Sequence, residues 1–258
     1  MHLDITREFA ETAVSKIENF KRNPTGYFIS TMMAGAYVGL GAILILTLGN
    51  EADPASRKLI MGSFFGISLT LIIFAGAELF SGHTMYMTFA FFYKKINAFT
   101  VIKDWIICWY GNLFGAMLLS ILFVVGGGGG WFDDPGSLVH SVASAKMNSG
   151  IIELIARAAL SNWLICLAIW VSSKTDNDAA KCILIFWCLF AFVAVGFEHG
   201  IANMTVFTIS MLGDHPADVT ILGGIYNLLW VSVGNVIGGA GFIGIAYYLT
   251  SPDEDIAK

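Results

Sequence analysis

Glu198 and His199 stand side by side within Val195 to Met204, VGFEHGIANM, inside an apolar run from Cys182 to Leu212 long enough to cross a bilayer. Ionisable side chains are rare at such depth and mark sites where something polar must be handled. Gly196 and Gly200 bracket the pair, so helix propensity is weakest where charge is most expensive. A helix broken there frees backbone groups that lipid cannot satisfy, and such breaks persist only where they are buried in protein or line a cavity. An imidazole, a carboxylate and the amide of Asn203 offer hydrogen bonds, a proton and a charge. His199 alone would serve equally to bond a neighbouring helix; its company points to the lining of a pore or transport site.

A second constellation lies upstream. The run GSFFGISLTLIIFAGAELF leads into SGHTMYM, so Glu78, Ser81 and His83 interrupt another apolar segment. His83 fits a pore mouth or a half-helix cap equally well. The two breaks share a plan, Gly76-Ala77-Glu78 to Met85 against Gly196-Phe197-Glu198 to Met204, with the glutamates 120 residues apart. GNLFGA and GNVIGGA repeat it, placing Asn112 and Asn235 123 residues apart. With three spans in each half, the second copy inserts upside down relative to the first, and the site is expected where the repeats meet.

The elements that position these residues are membrane helices. The chain is 56% hydrophobic and 13% charged, with mean hydropathy +0.72, which excludes an ordinary soluble domain. Spans are expected at 27–49, 58–92, 100–125, 151–173, 181–212 and 220–249, the second and fifth interrupted. This is an all-α membrane protein, not a barrel of alternating strands. Residues 1–24 form an amphipathic helix with Ile5, Phe9, Ala13, Ile17 and Phe20 on one face, expected on the membrane surface or against a neighbouring subunit. This start lacks the apolar core and cleavage site of a signal peptide and is read as retained. The six-span unit covers 25–250, in halves of about 25–125 and 151–250, and a tail follows at 251–258.

Gly35 and Gly39, Gly62 and Gly66, Gly111 and Gly115, and Gly234 and Gly238 are small-residue pairs that let helices pack closely. Placing both termini in the cytoplasm puts ten lysines and arginines inside, Lys258 among them, and leaves Arg57, Lys58, Lys146 and Arg157 outside. The glycines at 126–130 read as a flexible turn, not a phosphate cradle, since no strand precedes them and no Gly-Lys-Ser/Thr follows. Lys146, read as a loop residue, is either solvated or a fixed cation that concentrates anions at a pore mouth. Cys108, Cys166, Cys182 and Cys188 lack metal or disulfide spacing.

MAGAYVGLG at 33–41, AGAELFSGHTM at 75–85, NWLICLAIW at 162–170, GFEHGIANM at 196–204 and GNVIGG at 234–239 resemble the formate/nitrite transporter family over essentially the whole chain. TLGN at 47–50, GHTM at 82–85 and HSVASAK at 140–146 look most like its nitrite-channel branch, with the formate and hydrosulfide branches as alternatives. The resemblance implies a homopentamer of aquaporin-like six-helix protomers, multi-pass in a bacterial inner membrane, each conducting nitrite or related small monovalent anions. It implies neither enzymatic activity, cofactor nor nucleic acid. The family's central histidine falls on His199, its loop hydroxyl on Ser81 in place of the usual Thr, and its outer lysine on Lys146. Its inner constriction falls on Leu69, Leu79 and Phe80, and its outer one on Phe65, Ile165 and Phe192.

An anion entering an apolar constriction loses water at prohibitive cost unless it is paired or neutralised. His199 would pair with it as imidazolium or pass it a proton, and Ser81 and Asn203 would supply hydrogen bonds. Glu78 and Glu198 are expected to accept bonds from backbone N–H groups freed at the breaks. A haem enzyme is disfavoured because His83 and His199 do not share a span and no Cys-X-X-Cys-His is present. A water or ammonia channel would share the half-helix plan. Passive channel and proton-coupled carrier are both compatible with these residues.

Overall fold

The computed structural model describes residues 3–131 and 133–251. Lys258 and nearly all of the expected tail lie outside the described residues. Helix α1 spans Leu3–Arg22, α2 Pro24–Glu51, α3 Arg57–Ala75, α4 Phe80–Phe92 and α5 Ala98–Val125. After a short 3-10 turn come α6 Leu138–Met147, α7 Ile151–Ser172, α8 Asp178–Val195, α9 Gly200–Leu212 and α10 Ile221–Val236, which continues through a π-helical stretch to Leu249. Six of the helices are long and apolar enough to cross a membrane, making this a multi-pass membrane protein.

Both expected breaks are present. α3 stops at Gly76 (φ 75°) and α8 at Gly196 (φ 89°), left-handed conformations that favour glycine. Short extended segments then lead into the half-helices α4 and α9. The repeat is visible in the packing: α2 lies on α3 and α5, α7 on α8 and α10, and α3 meets α8 between the halves. Each half-helix packs against the opposite half, α9 on α2 and α5, α4 on α7 and the π-helical turn.

The small-residue seams lie at these crossings. A Cβ on Gly35 would come within 2.0 Å of the Asn112 carbonyl oxygen, and one on Gly238 within 2.2 Å of the Ala159 carbonyl oxygen. α2 and α5 therefore touch backbone to backbone, as do α7 and α10.

Two elements differ from the sequence expectation. α1 packs onto α4 of its own chain, burying Phe9, Ala10, Ala13 and Ile17, and the Phe9 ring meets Tyr86 at 5.1 Å and Trp170 at 5.5 Å. Its apolar face is thus satisfied within the protomer. Thr6 reaches both Tyr93 (2.8 Å) and Ser251 (3.5 Å), so the two described chain ends meet on one side, here the terminal side. The stretch read as an outer loop contains α6, whose Val139, His140, Ala143 and Met147 are buried, with His140 Nδ1 2.8 Å from Ser210 Oγ of α9.

Candidate functional site

The two breaks bring Ser81 and His199 together at the centre of the fold. Ser81 lies in the first turn of α4, and His199 is the N-cap of α9. His199 Nδ1 accepts the Ala202 backbone N–H at 3.3 Å, and Nε2 lies 3.1 Å from Ser81 Oγ. With the Nδ1 lone pair engaged by a donor, the ring satisfies both contacts as the neutral tautomer that carries its proton on Nε2 and donates to Ser81. Both side chains are buried. Cys166 Sγ and Asn162 Nδ2 donate to the Ser81 carbonyl oxygen, and Asn162 also donates to the Asn235 carbonyl oxygen, which ties α4 to the second half.

Cavities approach this pair from both sides. On the far side, one of about 520 Å³ is lined by Phe65, Phe192, Lys146, Glu198, His199 and Asn203 among others. Its apolar floor is the edge-to-face pair Phe65–Phe192, 5.4 Å between centroids, with His199 6.1 Å beyond Phe192. On the terminal side, one of about 190 Å³ is lined by Leu69 and Leu79 together with Lys16, Glu78, His83 and Ile169. The structure therefore groups Phe65 and Phe192 on one side of the histidine and Leu69 and Leu79 on the other.

Phe80 departs from the expected inner group. Its neighbour Leu79 turns toward the pathway, and in the first turn of α4 the Phe80 side chain points the other way, into an apolar cavity of about 490 Å³ beside Trp105, Trp109 and Met204. Ile165 is buried but lines neither approach cavity.

The glutamates also act differently from expectation. Glu198 Oε2 accepts Lys146 Nζ and Asn203 Nδ2, each at 2.7 Å. Glu78 Oε2 accepts Lys16 Nζ and lies 2.8 Å from His83 Nε2. The backbone N–H groups freed at the breaks go elsewhere: Glu78 N–H to the Ser30 carbonyl oxygen, Glu198 N–H to that of Arg157, Phe80 N–H to Asn112 Oδ1 and Gly200 N–H to Asn235 Oδ1. The carboxylates are drawn instead to the lysines, because a buried charge is stabilised most by an opposite one.

Lys146 is consequently no free loop cation: it sits in the last turn of α6 and its charge is paired with Glu198. Asn203 lines the far-side cavity, but its amide hydrogens are engaged by Glu198 and by Asn227 Oδ1 at 2.9 Å, so it holds the break together and presents no free donor. Arg157 pairs with Glu153. Arg57 and Lys58 also line this cavity and have no carboxylate partner among the described residues.

Sequence reading missed Lys16, Tyr27, Asp104, Asn162 and Asn227. Tyr27 donates to Asp104 Oδ1, whose other oxygen lies 2.8 Å from His83 Nδ1. The repeat offset that relates Asn112 to Asn235 also relates Asp104 to Asn227, and that register was the available signal.

The sequence profile described as "Formate/nitrite transporter" matches residues 4–249. The nitrite transporter NirC of Escherichia coli (strain K12) is 47% identical over 255 residues, covering 98% of this chain and 93% of that protein. A solved structure described as an FNT family ion channel superposes with a TM-score of 0.94 at 44% identity, over 96% of this chain and 99% of that one. A pentameric formate channel with formate bound shares the fold, with a TM-score of 0.75 at 24% identity over 89% and 98% of the two chains. The chain belongs to the formate/nitrite transporter family.

Proposed function

We propose that this member of the formate/nitrite transporter family carries nitrite, and related small monovalent anions, across a bacterial plasma membrane. The observation that carries this reading is the His199–Ser81 pair, held between apolar narrowings where the two broken helices meet. A monovalent anion stripped of water between Phe65–Phe192 and Leu69–Leu79 would find the Ser81 hydroxyl hydrogen as a donor and, by taking the place of Ser81 Oγ as acceptor, the His199 Nε2–H as a second, together replacing lost hydration. The work is passage, not chemistry on the anion, and the site's polar side chains account for it without a cofactor.

His199 offers two modes. As neutral donor it stabilises the anion directly. To move a proton as well, it takes one up at Nδ1 from the far-side solution through the cavity it lines, giving up the Ala202 bond, and delivers the Nε2 proton to the weak-acid anion, which crosses as neutral acid. Loss of the Nδ1 proton and uptake of one at Nε2 then restore the starting tautomer. Asn203, Glu198 and Lys146 fix the far break, and Glu78 fixes the other. With Lys146 neutralised by Glu198, Arg57 and Lys58 are the charges that draw anions to the far mouth.

The lysine and arginine balance supports a terminal side, with α1, that faces the cytoplasm. Residues 25–250 act as one channel unit of two inverted halves, about 25–125 and 151–250, each protomer with its own pathway. A homopentamer is supported by the wide apolar faces left exposed, Phe64, Ile67 and Phe74 on α3 and Ile183 and Trp187 on α8 among them, and by a fold shared with a pentameric channel. Flux of nitrite, formate and hydrosulfide into proteoliposomes, compared at two pH values, tests the assignment. Nitrite should enter well above protein-free vesicles; formate or hydrosulfide flux without nitrite flux would move the protein to another branch.

A further inference from the structure

The two breaks are held by matching joints that differ in one chemical respect. On the far side, Lys146 and Asn203 donate to Glu198, and Asn203 donates onward to Asn227. On the terminal side, Lys16 donates to Glu78, His83 bridges Glu78 and Asp104, and Tyr27 donates to Asp104. Asn203 follows its glutamate by five residues, as His83 follows Glu78, and Asn227 occupies the repeat position of Asp104. An amide and an amide have become an imidazole and a carboxylate.

His83 has each ring nitrogen 2.8 Å from a carboxylate oxygen, Nδ1 from Asp104 and Nε2 from Glu78. An ionised carboxylate only accepts, and a neutral imidazole has a single N–H. A neutral ring between two carboxylates would set one bare nitrogen against a bare oxygen. Both contacts are made when the ring carries two protons, which is what the two amide hydrogens of Asn203 supply in the other joint. The charge balance agrees. Lys146 and Glu198 cancel on the far side, and Lys16, Glu78 and Asp104 cancel only with a positive His83.

We propose that the terminal-side joint is a second protonation site of the transporter, holding one exchangeable proton on His83 between Glu78 and Asp104, and that the far-side joint has none. The groups facing His83 are Glu78 at the break, Asp104 and Cys108 of α5, Tyr27 of α2, Tyr86 of α4 and, through Glu78, Lys16 of α1. Lys16 is already spent on Glu78 in that balance, and none of the other groups named is a cation that would replace the proton when it leaves. His83 lines the same cavity as Leu79. With the proton bound the joint is neutral; without it a net negative charge stands beside the terminal-side narrowing and repels an entering anion. Anion passage therefore falls as pH rises at that face, independently of His199.

The effect on passage rests on the transport reading above, whereas the proton site does not, and two measurements separate them. Nitrogen-15 histidine NMR of the purified full-length protein, assigned by single histidine substitutions, should show His83 with both ring nitrogens protonated near neutral pH, losing one proton on alkalinisation. A His83 ring with one bare nitrogen throughout that range would overturn the proposal. In proteoliposomes of fixed protein orientation, wild-type nitrite flux should fall several-fold as terminal-side pH is raised, and the pair His83→Asn with Asp104→Asn, which copies the other joint, should lose that fall. An unchanged fall in the pair would contradict the proposed consequence. Absence of any wild-type nitrite flux would defeat the transport reading and leave the NMR result to decide the proton site.

Discussion

Lys146 Nζ lies 2.7 Å from Glu198 Oε2, and that carboxylate is almost wholly enclosed, its side chain 4% exposed. The lysine that sequence reading offers as an anion attractor is thus first a structural cation. Removing it leaves a buried carboxylate with only the Asn203 amide. Breaking a buried ion pair costs ~3–5 kcal/mol, and because Lys146 itself is 20% exposed we expect the lower end, ~3 kcal/mol, for Lys146→Ala. Thermal unfolding of the purified protein should show it, and adding Glu198→Gln should recover most of the loss. Equal stability of Lys146→Ala and wild type would mean the pair carries little weight.

Lys146 and Arg157 being paired, the net positive field of the far-side mouth comes from Arg57 and Lys58. Arg57→Gln should slow nitrite entry several-fold near 0.01 M salt and hardly at all near 1 M, as the screening length falls from ~30 Å to ~3 Å. A defect of the same size at both ionic strengths would point to a contact role instead.

The glycine seams are graded by what a methyl group would strike. Gly35→Ala and Gly238→Ala drive a Cβ into rigid backbone, within 2.0 and 2.2 Å of carbonyl oxygens, and should prevent recovery of folded protein in mild detergent. Gly66→Ala meets its nearest atom, Phe186 Cα, at 3.5 Å and should fold normally. Equal yields from Gly35→Ala and Gly66→Ala would show that the α2–α5 crossing is looser than described.

Both breaks were legible in the sequence because glycine, glutamate and histidine are anomalous within apolar runs, and the spans because hydropathy reports length directly. The repeat was legible from Glu78 against Glu198 and Asn112 against Asn235. What the sequence hid depends on which way a side chain turns. Phe80 and Leu79 are adjacent and equally apolar, yet only Leu79 lines the pathway. α6 was hidden because a ten-residue helix between Gly/Asp-rich and Ser/Gly segments has the composition of a loop. Lys16 was hidden because an amphipathic helix shows that it has an apolar face, not what that face will pack against.

Ser81 meets His199 only at Oγ, so Ser81→Ala should leave the fold intact and remove one donor from the pathway. A loss of roughly 1 kcal/mol, a several-fold slower nitrite flux with little change in melting temperature, is the expected outcome. An unaltered rate would place the anion's path away from this hydroxyl.

The central claim is that the anion passes His199, and nitrite flux through His199→Asn tests it most directly. Asn keeps a donor but carries neither proton nor charge. With terminal-side pH clamped and far-side pH varied, wild-type flux should rise on acidification, whereas His199→Asn should be slower and flat at every ionic strength, because a contact-range effect is not screened. A His199→Asn protein with the wild-type rate and the wild-type pH profile would contradict the account.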